Sequence, residues 1–435
     1  MKNAREIAVL TLVDVHRAGA YSNLALKKRL ESDMSGAEKR LATSLVYGVI
    51  KRQLTLDYII GQYSKIKLKK ISDYILEILR TGIYQLLYMD KIPQSAAVNE
   101  SVKLSKRYGH GASAGFVNGV LHSVIRGGVQ YPHDSAERLS VEESFPLWLC
   151  REWTDSFGQE FAKDLMRAMN REPRLCLRAN TLKISAGELA GRMPAGEVSA
   201  LYPQAVLCSG FDIAASAEYQ DGLFTAQDIS AMLAGAVLAP KKGETVIDLC
   251  AAPGGKTTHL AQLMENAGRI LAFDIHAHKI KLIEENAKRM GISIIEARQG
   301  DAAIHESSLD SLADKVLADV PCSGLGIIRR KPEIKWNKKE ESNLEQIQYS
   351  ILENAARYVK PGGEVVYSTC TLRRQENEDI IRRFLAEHRA FAPVDFQAKL
   401  PQALQKDTVR EGHVTFYPNT DGIDGFFIAK LKRCE

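Results

Sequence analysis

Apolar residues in the first 130 positions recur at intervals of three and four. This spacing is clearest in residues 5–18, 39–60 and 72–89. It places apolar side chains on one face of a helix, because an α-helix has about 3.6 residues per turn. Alternating apolar and polar positions, which are typical of strands, are scarce in this part of the chain. The pattern therefore predicts an all-helical N-terminal domain.

From residue 240 onwards, short apolar runs alternate with amphipathic helical segments. The runs that predict strands are TVIDLC (245–250), RILAFDI (269–275), ISIIEARQGDA (292–302), KVLADVP (315–321) and GGEVVYSTC (362–370). This alternation is typical of a doubly wound, mostly parallel sheet with a Rossmann-like core. Residues 413–433 resemble two strands joined by a turn, which would add an antiparallel edge strand.

These patterns predict four regions along the chain. Residues 1–130 form the helical domain, and residues 131–170 form a linker and helical connector, because the stretch 127–140 is polar and contains Gly and Pro. Residues 171–240 form an N-terminal extension of the catalytic region. Residues 241–435 form the α/β catalytic domain.

The composition is that of a folded protein without a membrane-spanning segment. Of 435 residues, 45% are hydrophobic and 26% are charged, which is ordinary for a globular protein. Charged residues interrupt the first helical segment where a signal peptide would be apolar, so we expect a cytoplasmic protein.

The seven cysteines contain no CxxC pair. Their spacing argues against a metal site, and their odd number argues against a disulfide framework, so free thiols are expected.

Charge is distributed unevenly between the two parts of the chain. Residues 1–140 contain 21 Lys and Arg against 12 Asp and Glu, a net charge of +9, and the remaining 295 residues carry −4. A basic helical domain favours a polyanionic partner, although a solvated helical surface would have the same composition. The lysine clusters of this domain, at 65–70 and 103–107, are candidates for phosphate contacts.

The glycine-rich segment DLCAAPGGKT, residues 248–257, predicts a cofactor loop. Its end resembles a P-loop, but Cys250 stands where the first glycine is required, and the dinucleotide fingerprint GxGxxG is absent. Acidic residues lie near the ends of three successive predicted strands, at Asp248, Asp274 and Asp301. Such carboxylates can accept hydrogen bonds from ribose hydroxyls and from an adenine amino group. Because a phosphate-binding loop is absent, the pattern favours a cofactor that contains ribose and adenine but no pyrophosphate, namely S-adenosylmethionine. The loop residues expected to contact it are Cys250, Ala251, Ala252, Pro253, Gly254, Gly255 and Lys256.

Two cysteines lie in distinctive settings downstream of this loop. Cys322 is in DVPCSG and Cys370 is in YSTC. A cofactor loop followed by two such thiols suggests covalent chemistry on an electron-poor ring, because a thiolate is a strong nucleophile. Most free cysteines are small buried hydrophobes, so packing remains the simpler interpretation of either one taken alone.

The motifs DLCAAPGGKT, DVPCSG, STC and DGFF, taken together, resemble those of the RNA cytosine-C5 methyltransferases of the NOL/NSUN superfamily. The stretches IPQSAAVNESVKLSKRYG and GFVNGVL extend the resemblance to the branch that acts on bacterial 16S rRNA and carries a NusB-like N-terminal domain. The resemblance covers nearly the whole chain. It implies that Cys370 is the nucleophile, that Cys322 assists release of the product, and that cytosine 967 of 16S rRNA, naked or in an early assembly intermediate, is the target. No stable protein partner is expected.

The residues are consistent with this chemistry. Carbon 5 of cytosine becomes nucleophilic only after a thiolate adds at carbon 6. Asp319, three residues before Cys322, could hydrogen-bond the cytosine N3 and amino group, and it would also lie beside the sulfonium end of the cofactor. DNA cytosine methyltransferases place the nucleophile in a Pro-Cys motif, so from the residues alone the two thiols could exchange roles.

Two other functions are compatible with parts of the pattern. An RNA-binding assembly factor with an inactive catalytic domain would explain the basic helices, but it leaves the thiols and acids without a purpose. A DNA cytosine methyltransferase is disfavoured by the STC cysteine and the NusB-like part. Arg329, Arg330 and Lys331, which follow the predicted catalytic loop, suit contacts with RNA phosphates, as does Arg178 with Asn180. Ordinary surface charge explains these basic residues equally well.

Overall fold

A computed structural model describes residues 3–20, 22–30, 34–336 and 343–434. These residues form two compact units. The first unit contains residues 1–170 together with 331–338, and the second contains residues 171–330 and 339–435. No helix in the described ranges combines the length and the apolar character that crossing a membrane requires.

The first unit is helical in its described residues. In chain order its helices are α1 (Ala4–Ala18), α2 (Ser22–Arg29), α3 (Gly36–Tyr63), α4 (Asp73–Tyr88), α5 (Gln94–Tyr108), α6 (Ser113–Gly127), α7 (Ser135–Glu143), α8 (Leu147–Phe157) and α9 (Gln159–Asn170). The helical N-terminal prediction is therefore confirmed.

Helix α3 passes through the core of this unit. Its fully buried residues Leu45, Val49, Leu56 and Ile60 recur at the helical spacing that the sequence pattern shows. Ser35 caps the helix by accepting a hydrogen bond from the backbone N–H of Glu38. The buried apolar face of α3 and those of its neighbouring helices form one continuous core.

The predicted linker is shorter than the sequence suggests. Helix α6 ends at Gly127, where a glycine at position 128 with φ of 63° follows, and α7 begins at Ser135 with Asp134 as its cap. Within the stretch 127–140, only residues 128–134 lie outside a helix, and the helical residues from Ser135 onwards belong to the first unit. Residues 135–140 are polar because they form the first turns of α7, much of which is exposed, and not because they belong to a linker.

A short segment from the second half of the chain also belongs to the first unit. Residues Pro332–Trp336 form a single helical turn. The indole N–H of Trp336 donates to the carbonyl oxygen of Ile50 at 2.8 Å, and Nζ of Lys335 donates to that of Lys51 at 2.7 Å. The ammonium of Lys335 also lies 4.1 Å from the ring centre of Phe145.

The second unit begins with a small antiparallel sheet. Its strands are β1 (Leu175–Ala179), β2 (Glu197–Val198), β3 (Ala205–Cys208) and β4 (Phe224–Ala226), in the order β2-β3-β1-β4. Helix α10 (Ala186–Arg192) packs on one face of this sheet, and α11 (Ala217–Gln220) precedes β4.

The larger sheet contains the remaining strands. They are β5 (Thr245–Asp248), β6 (Arg269–Asp274), β7 (Ile295–Gln299), β8 (Ala313–Asp319), β9 (Val359–Thr369), β10 (Phe391–Pro393), β11 (His413–Phe416) and β12 (Phe426–Arg433). The helices around it are α12 (Ile229–Leu238), α13 (Gly255–Leu263), α14 (Ala277–Met290), α15 (Leu344–Tyr358) and α16 (Glu378–Glu387).

The order of this sheet is β10-β12-β9-β8-β5-β6-β7, with β11 also paired to β12. Strands β5 to β9 are parallel, and β10, β11 and β12 pair antiparallel. Successive residues of β5 enter different cores: Val246 packs on the side of α12 and α13, and Ile247 packs on the side of α15 and α16. Helices thus cover both faces, which confirms the doubly wound fold with an antiparallel edge.

Candidate active site

The carboxyl ends of neighbouring strands bring the predicted acidic residues to one edge of the large sheet. Strand β5 ends at Asp248, β6 ends at Asp274 and β8 ends at Asp319, while Asp301 follows β7. Asp319 is in register with Ser368 of β9, two residues before the thiol of the STC motif. Ligands of doubly wound sheets bind at this edge, so the candidate site lies there.

The glycine-rich loop connects β5 to α13 at the same edge. Its turn is closed by the N–H of Gly254, which donates to the oxygen of Ala251 at 2.7 Å. Gly254 has φ of 101°, a conformation that strongly favours glycine. The N–H of Ala251 donates to the oxygen of Phe273 at 2.7 Å, which places the loop directly beside the end of β6. Gly255 and Lys256 form the first turn of α13.

A cavity of about 280 Å³ lies beside these strand ends. Leu249, Phe273 and Tyr358 supply apolar and aromatic walls, and Asp301 supplies a carboxylate. Gly300 also lines the cavity, and a Cβ at that position would lie 3.0 Å from the ring of Phe273. His305 and Glu306 also line the cavity. Apolar and aromatic walls together with a carboxylate suit a flat heterocycle that carries an amino group.

The acidic residues lie close enough to the loop for their charges to act on the thiol of Cys250. Burial raises the pKa of Cys250 well above its usual range, and the charges of Asp248, Asp319, Asp274 and Asp301 raise it further. A diphosphate would be repelled by this concentration of carboxylates, whereas hydroxyl groups, an amino group and a sulfonium would be attracted. These carboxylates therefore fit S-adenosylmethionine.

The two distinctive cysteines meet at the ends of β8 and β9. Their sulfur atoms are 3.1 Å apart, and the backbone N–H of Cys370 also donates to Sγ of Cys322, at 3.2 Å. Both thiols are half-buried. The hydrogen bond with Cys370 and burial raise the pKa of Cys322 well above its usual value, and the charges of Cys370 and Glu376 act in the same direction. The thiol of Cys322 therefore loses its proton less readily than the thiol of an ordinary cysteine.

Lys256 and Asp319 form an ion pair beside the thiols. Nζ of Lys256 donates to Oδ2 of Asp319 at 2.8 Å, and Oδ1 of Asp319 accepts from Oγ of Ser368 at 2.8 Å. The ammonium also lies 5.2 Å from the ring centre of Phe426. Burial opposes the charged form of Lys256, but the charge and hydrogen bond of Asp319, with a contribution from Cys370, raise its pKa. The site therefore holds a charged donor and a charged acceptor next to the pair of sulfur atoms.

Asp248 has a different environment from the other acids. It is fully buried, and Oδ2 accepts a hydrogen bond from Oγ1 of Thr257 at 2.7 Å. Burial raises the pKa of Asp248 to about 7, and the charge of Asp319 adds to this effect. Its bond to α13 makes it a support of the cofactor loop.

This raised pKa predicts a pH-dependent stability. Between the unfolded pKa of about 4 and the folded pKa, the folded protein binds more protons than the unfolded chain, so stability falls as the pH rises. The charged form of Asp248 therefore costs the folded state at most about 4 kcal/mol above pH 7. Asp248→Asn should remove this loss, so the melting temperature of the variant minus that of the wild type should increase from pH 5 to pH 8. A constant difference across that range would contradict the prediction.

A close backbone contact fixes the loop that follows Cys322. The N–H of Gly326 donates to the oxygen of Cys370, and that of Gly425 donates to the oxygen of Gly326, both at 2.9 Å. A Cβ on Gly326 would lie 2.0 Å from the oxygen of Gly425 and 2.8 Å from that of Cys370. Only glycine fits at this position without moving the backbone.

Gly326→Ala should therefore disturb both cysteine-bearing loops. We expect about 1–3 kcal/mol of destabilisation, as for other overpacked positions, and a loss of catalytic activity larger than the loss of folded protein. Denaturant unfolding and activity per folded molecule measure the two effects separately. Gly362→Ala is the matched control for stability, since a Cβ there has open space although φ is 78°. It should leave the specific activity of the folded fraction intact.

Two residues suggested as RNA contacts, Arg178 and Asn180, are buried inside the protein instead. Arg178 is fully buried and donates to Gln227, to the oxygen of Gly255 and to Thr258. Asn180 is also buried, and its amide nitrogen donates to the oxygens of Gly222 and Met290. The prediction for both residues was wrong, because the LRANTLK strand lies inside the unit and its polar side chains support the cofactor loop and α14.

The arginines after Cys322 are also paired within the protein. Arg329 and Arg330 both bind the carboxylate of Asp424, and Arg330 also binds Asp228. Asp424 is 1% exposed. These ion pairs hold the loop that follows Cys322. Both arginines are partly exposed, and their contact with RNA phosphates stays a prediction. Lys331 is exposed, and its RNA contact stays a prediction.

Sequence reasoning missed polar residues that the fold places around the thiols. Ser368, Ser323, Thr371 and Glu376 all hydrogen-bond at the site. The first three are direct or near neighbours of a cysteine in the chain, so their adjacency was an available signal. Glu376 follows Cys370 by six residues in the charged stretch RRQENED, and nothing in that stretch distinguishes it from exposed helix charges.

The chain matches three protein-family models. Residues 2–126 match the NusB family, residues 145–215 match the ferredoxin-like domain of the RsmF/B-like methyltransferases, and residues 235–432 match the 16S rRNA methyltransferase RsmB/F model. The last match contains the glycine-rich loop, both cysteines and the acidic residues described above.

Similar proteins match over the whole length. The chain is 40% identical to the probable ribosomal RNA small subunit methyltransferase B of Bacillus subtilis, with 99% of each chain covered. It is 36% identical to the protein of the same name from Synechocystis, with 100% of each covered. The crystal structure of PH0851 is similar with a TM-score of 0.83 and 29% identity, covering 100% of this chain and 99% of that one.

Proposed function

Because this chain belongs to the RsmB/F family of 16S rRNA methyltransferases, we propose that it methylates carbon 5 of a cytosine in 16S rRNA. The methyl donor would be S-adenosylmethionine, and the reaction would pass through a covalent cysteine–cytosine adduct. The observation that carries this proposal is the pair of sulfur atoms of Cys322 and Cys370, 3.1 Å apart beside the Lys256–Asp319 ion pair. A single buried thiol would suit packing, but two thiols next to a charged donor and acceptor suit covalent catalysis.

The proposed reaction begins with Cys370. Its thiolate adds to carbon 6 of the cytosine, and the electron pair of the C5–C6 double bond moves to make carbon 5 nucleophilic. Lys256 supports the thiolate, since the positive charge of its ammonium acts on Cys370. As the thiolate adds, N3 takes a proton from solvent, which neutralises the charge that develops in the ring. Asp319 accepts hydrogen bonds from this N3–H and from the cytosine amino group, so the ring is held by a preorganised partner.

The proposed cofactor site consists of the loop residues 250–256 with Asp274, Asp301 and Asp319. Asp274 is 8% exposed, and its Oδ1 accepts the N–H of His276 at 2.9 Å, which fixes the carboxylate for ribose hydroxyls. Asp301 lines the cavity that would hold adenine. When bound, S-adenosylmethionine supplies an electrophilic methyl group for carbon 5 of the adduct. Carboxylates near the sulfonium hold its positive charge.

Elimination completes the proposed cycle. A base takes the proton from carbon 5, the C5–C6 double bond forms again, and the C6–S electron pair returns to Cys370. The proton on N3 returns to solvent, which leaves neutral 5-methylcytosine. The thiol of Cys322 can donate a hydrogen bond to the departing sulfur across the 3.1 Å contact. Cys322 thereby assists release, and its removal should slow this step more than the addition.

The RNA substrate is proposed on three grounds. The family acts on 16S rRNA, residues 2–126 match the NusB family, and residues 1–140 carry a net charge of +9 that suits a polyanion. The position, cytosine 967, rests on the family resemblance alone. The base must leave a helical stack to reach a half-buried thiol, so we expect an unpaired or flipped cytosine.

Transfer of labelled methyl groups tests the proposal. The protein is incubated with labelled S-adenosylmethionine and unmodified 16S rRNA, with 23S rRNA and DNA in parallel, and the products are digested to nucleosides. Label in 5-methylcytosine of 16S rRNA alone supports the proposal. Label in another nucleoside would overturn the chemistry, and label in 23S rRNA or DNA alone would overturn the substrate. If naked RNA gives no label, assembly intermediates of the small subunit are tested next, and failure there would also overturn it.

A further inference from the structure

A buried carboxylate lies behind the loop that carries Cys322. Glu376 is 1% exposed and lies in a short helical turn, Arg374–Glu376, that follows Cys370 in the chain. Burying a carboxylate is unfavourable unless hydrogen bonds satisfy it. Its surroundings therefore indicate what the group does.

Among the described residues, three neutral groups donate to the carboxylate of Glu376, and two of them belong to Ser323, which directly follows Cys322. Oε2 accepts from the backbone N–H of Ser323 at 2.9 Å, and Oε1 accepts from its hydroxyl at 2.5 Å. The third donor is Nε2 of Gln348, at 2.9 Å from Oε2, which also donates to the oxygen of Pro321 at 2.9 Å. Three donors fit an ionised carboxylate, which only accepts. Glu376 thus holds Ser323 directly and Pro321 through Gln348, one on each side of Cys322.

The same turn also holds the strand end that carries Cys370. Because the Ser323 hydroxyl donates to Glu376, its oxygen can accept from Thr371 Oγ1, 2.7 Å away. Asn377, the next residue after Glu376, donates to the oxygen of Thr371 at 3.1 Å and accepts from Thr369 Oγ1 at 2.6 Å. Glu376 and Asn377 therefore join the loops of both thiols in one hydrogen-bonded cluster.

The charges around the two sulfur atoms are of opposite sign. The ammonium of Lys256, from α13, acts on Cys370. The carboxylate of Glu376 acts on Cys322. Asp319 at the end of β8 is neutralised by Lys256, and Asp248 is hydrogen-bonded to Thr257. The hydroxyl of Tyr367 on β9 donates to the backbone carbonyl oxygen of Glu376, not to its carboxylate. Glu376 is thus the negative charge on the side of Cys322, and Lys256 is the positive charge on the side of Cys370.

Building on the function proposed above, we propose that Glu376 is a positioning residue. Its hydrogen bonds hold Cys322 beside Cys370, and its charge keeps the shared proton of the pair on Cys322. The negative charge then lies on Cys370, the proposed nucleophile. Two cysteines at 3.1 Å would otherwise be chemically similar, so Glu376 assigns them different roles before RNA binds.

The reactivity of each thiol tests this assignment without RNA or cofactor. The folded protein is treated with limiting iodoacetamide from pH 6 to pH 9, and the alkylation of the Cys322 and Cys370 peptides is followed by mass spectrometry. In the wild type, Cys370 should react at least about tenfold faster than Cys322 near pH 7.5, because a thiolate reacts and a thiol does not. Glu376→Gln should reduce this ratio by about tenfold, the effect of one pKa unit.

Matched variants separate charge from structure. Glu376→Asp keeps the charge and should restore most of the ratio. Glu387→Gln makes the same chemical change on an exposed carboxylate of α16 and should leave the ratio as in the wild type. Methyl transfer by Glu376→Gln should show a lower kcat with a KM for RNA within about threefold of the wild type.

Two results would overturn the proposal. Faster alkylation of Cys322 than of Cys370 in the wild type would place the thiolate on the wrong residue, and this measurement needs no variant to fold. An unchanged ratio in a Glu376→Gln variant that melts like the wild type would remove the role of the charge. Neither result bears on whether 16S rRNA is methylated, so the function proposed above is tested separately.

Discussion

Cys370→Ala is expected to abolish methyl transfer and to prevent any covalent protein–RNA adduct. The alanine cannot add to carbon 6, so carbon 5 never becomes nucleophilic, and the rate should fall by at least about 10⁴-fold, as for other lost nucleophiles. The other thiol is not expected to substitute, because burial and the charge of Glu376 still raise the pKa of Cys322 when the hydrogen bond with Cys370 is lost. Transfer of label at saturating cofactor and RNA measures this loss.

Cys322→Ala should behave in the opposite way with respect to the adduct. Addition to carbon 6 and methyl transfer can proceed, but elimination loses the thiol that lies 3.1 Å from the departing sulfur. The adduct should accumulate and should survive denaturing electrophoresis as a shifted band containing both RNA and protein. Turnover should be limited to about one methyl group per protein molecule.

The pair of variants also decides between the two assignments of the thiols. Accumulation of adduct in Cys370→Ala and its absence in Cys322→Ala would reverse the proposed roles. Cys434→Ala is the control, since this cysteine is exposed near the C-terminus and lies outside the site. It should show wild-type turnover and no stable adduct.

Asp319→Asn is expected to have the second largest effect on the reaction. Asparagine retains the shape of the side chain but loses the charge that pairs with Lys256 at 2.8 Å and that would hold protonated N3 of the cytosine. We expect kcat to fall by about 10²- to 10⁴-fold, the range for a lost acid–base or charge-stabilising group. Single-turnover rates should fall in parallel, because addition to carbon 6 is the affected step.

Asp314→Asn provides the matched control on the same strand. Asp314 lies near the opposite end of β8, where it accepts from the N–H of Thr245 at 2.8 Å and pairs with Lys360. Its replacement can lower stability but should leave single-turnover rates unchanged for the folded protein. Equal losses of rate in the two variants would mean that Asp319 acts through the strand and not on the base.

The fold could be predicted closely because its signals are local. The buried face of α3 repeats every three to four residues, and the strands β5, β6 and β8 are short apolar runs between helical segments. Such periodicities follow from helix and strand geometry and do not depend on distant contacts. The segment 127–140 was less predictable, because a polar exposed helix start has the composition of a linker.

The candidate site was predictable wherever a residue lies in a motif or at a strand end. Cys322, Cys370 and Asp319 are in this group, as are the loop residues 250–256. Arg178 was misinterpreted because charge in a sequence is read as surface charge, whereas this guanidinium is buried under the cofactor loop. Glu376 was missed because it lies in a charged stretch that looks exposed in the sequence, although its own carboxylate is buried.

The sequence by itself determined the helical N-terminal part and the α/β part, the glycine-rich loop, the acidic strand ends and the presence of two unusual thiols. Only the tertiary structure decided that the thiols touch, that Lys256 faces Cys370, and that Glu376 lies behind Cys322. The physical reason is that local pattern reports the conformation of a segment, while the properties of a thiol depend on the charges and hydrogen bonds that distant segments bring to it. Residues 322 and 370 are far apart in the chain, and the pairing of β8 with β9 is what makes them one site.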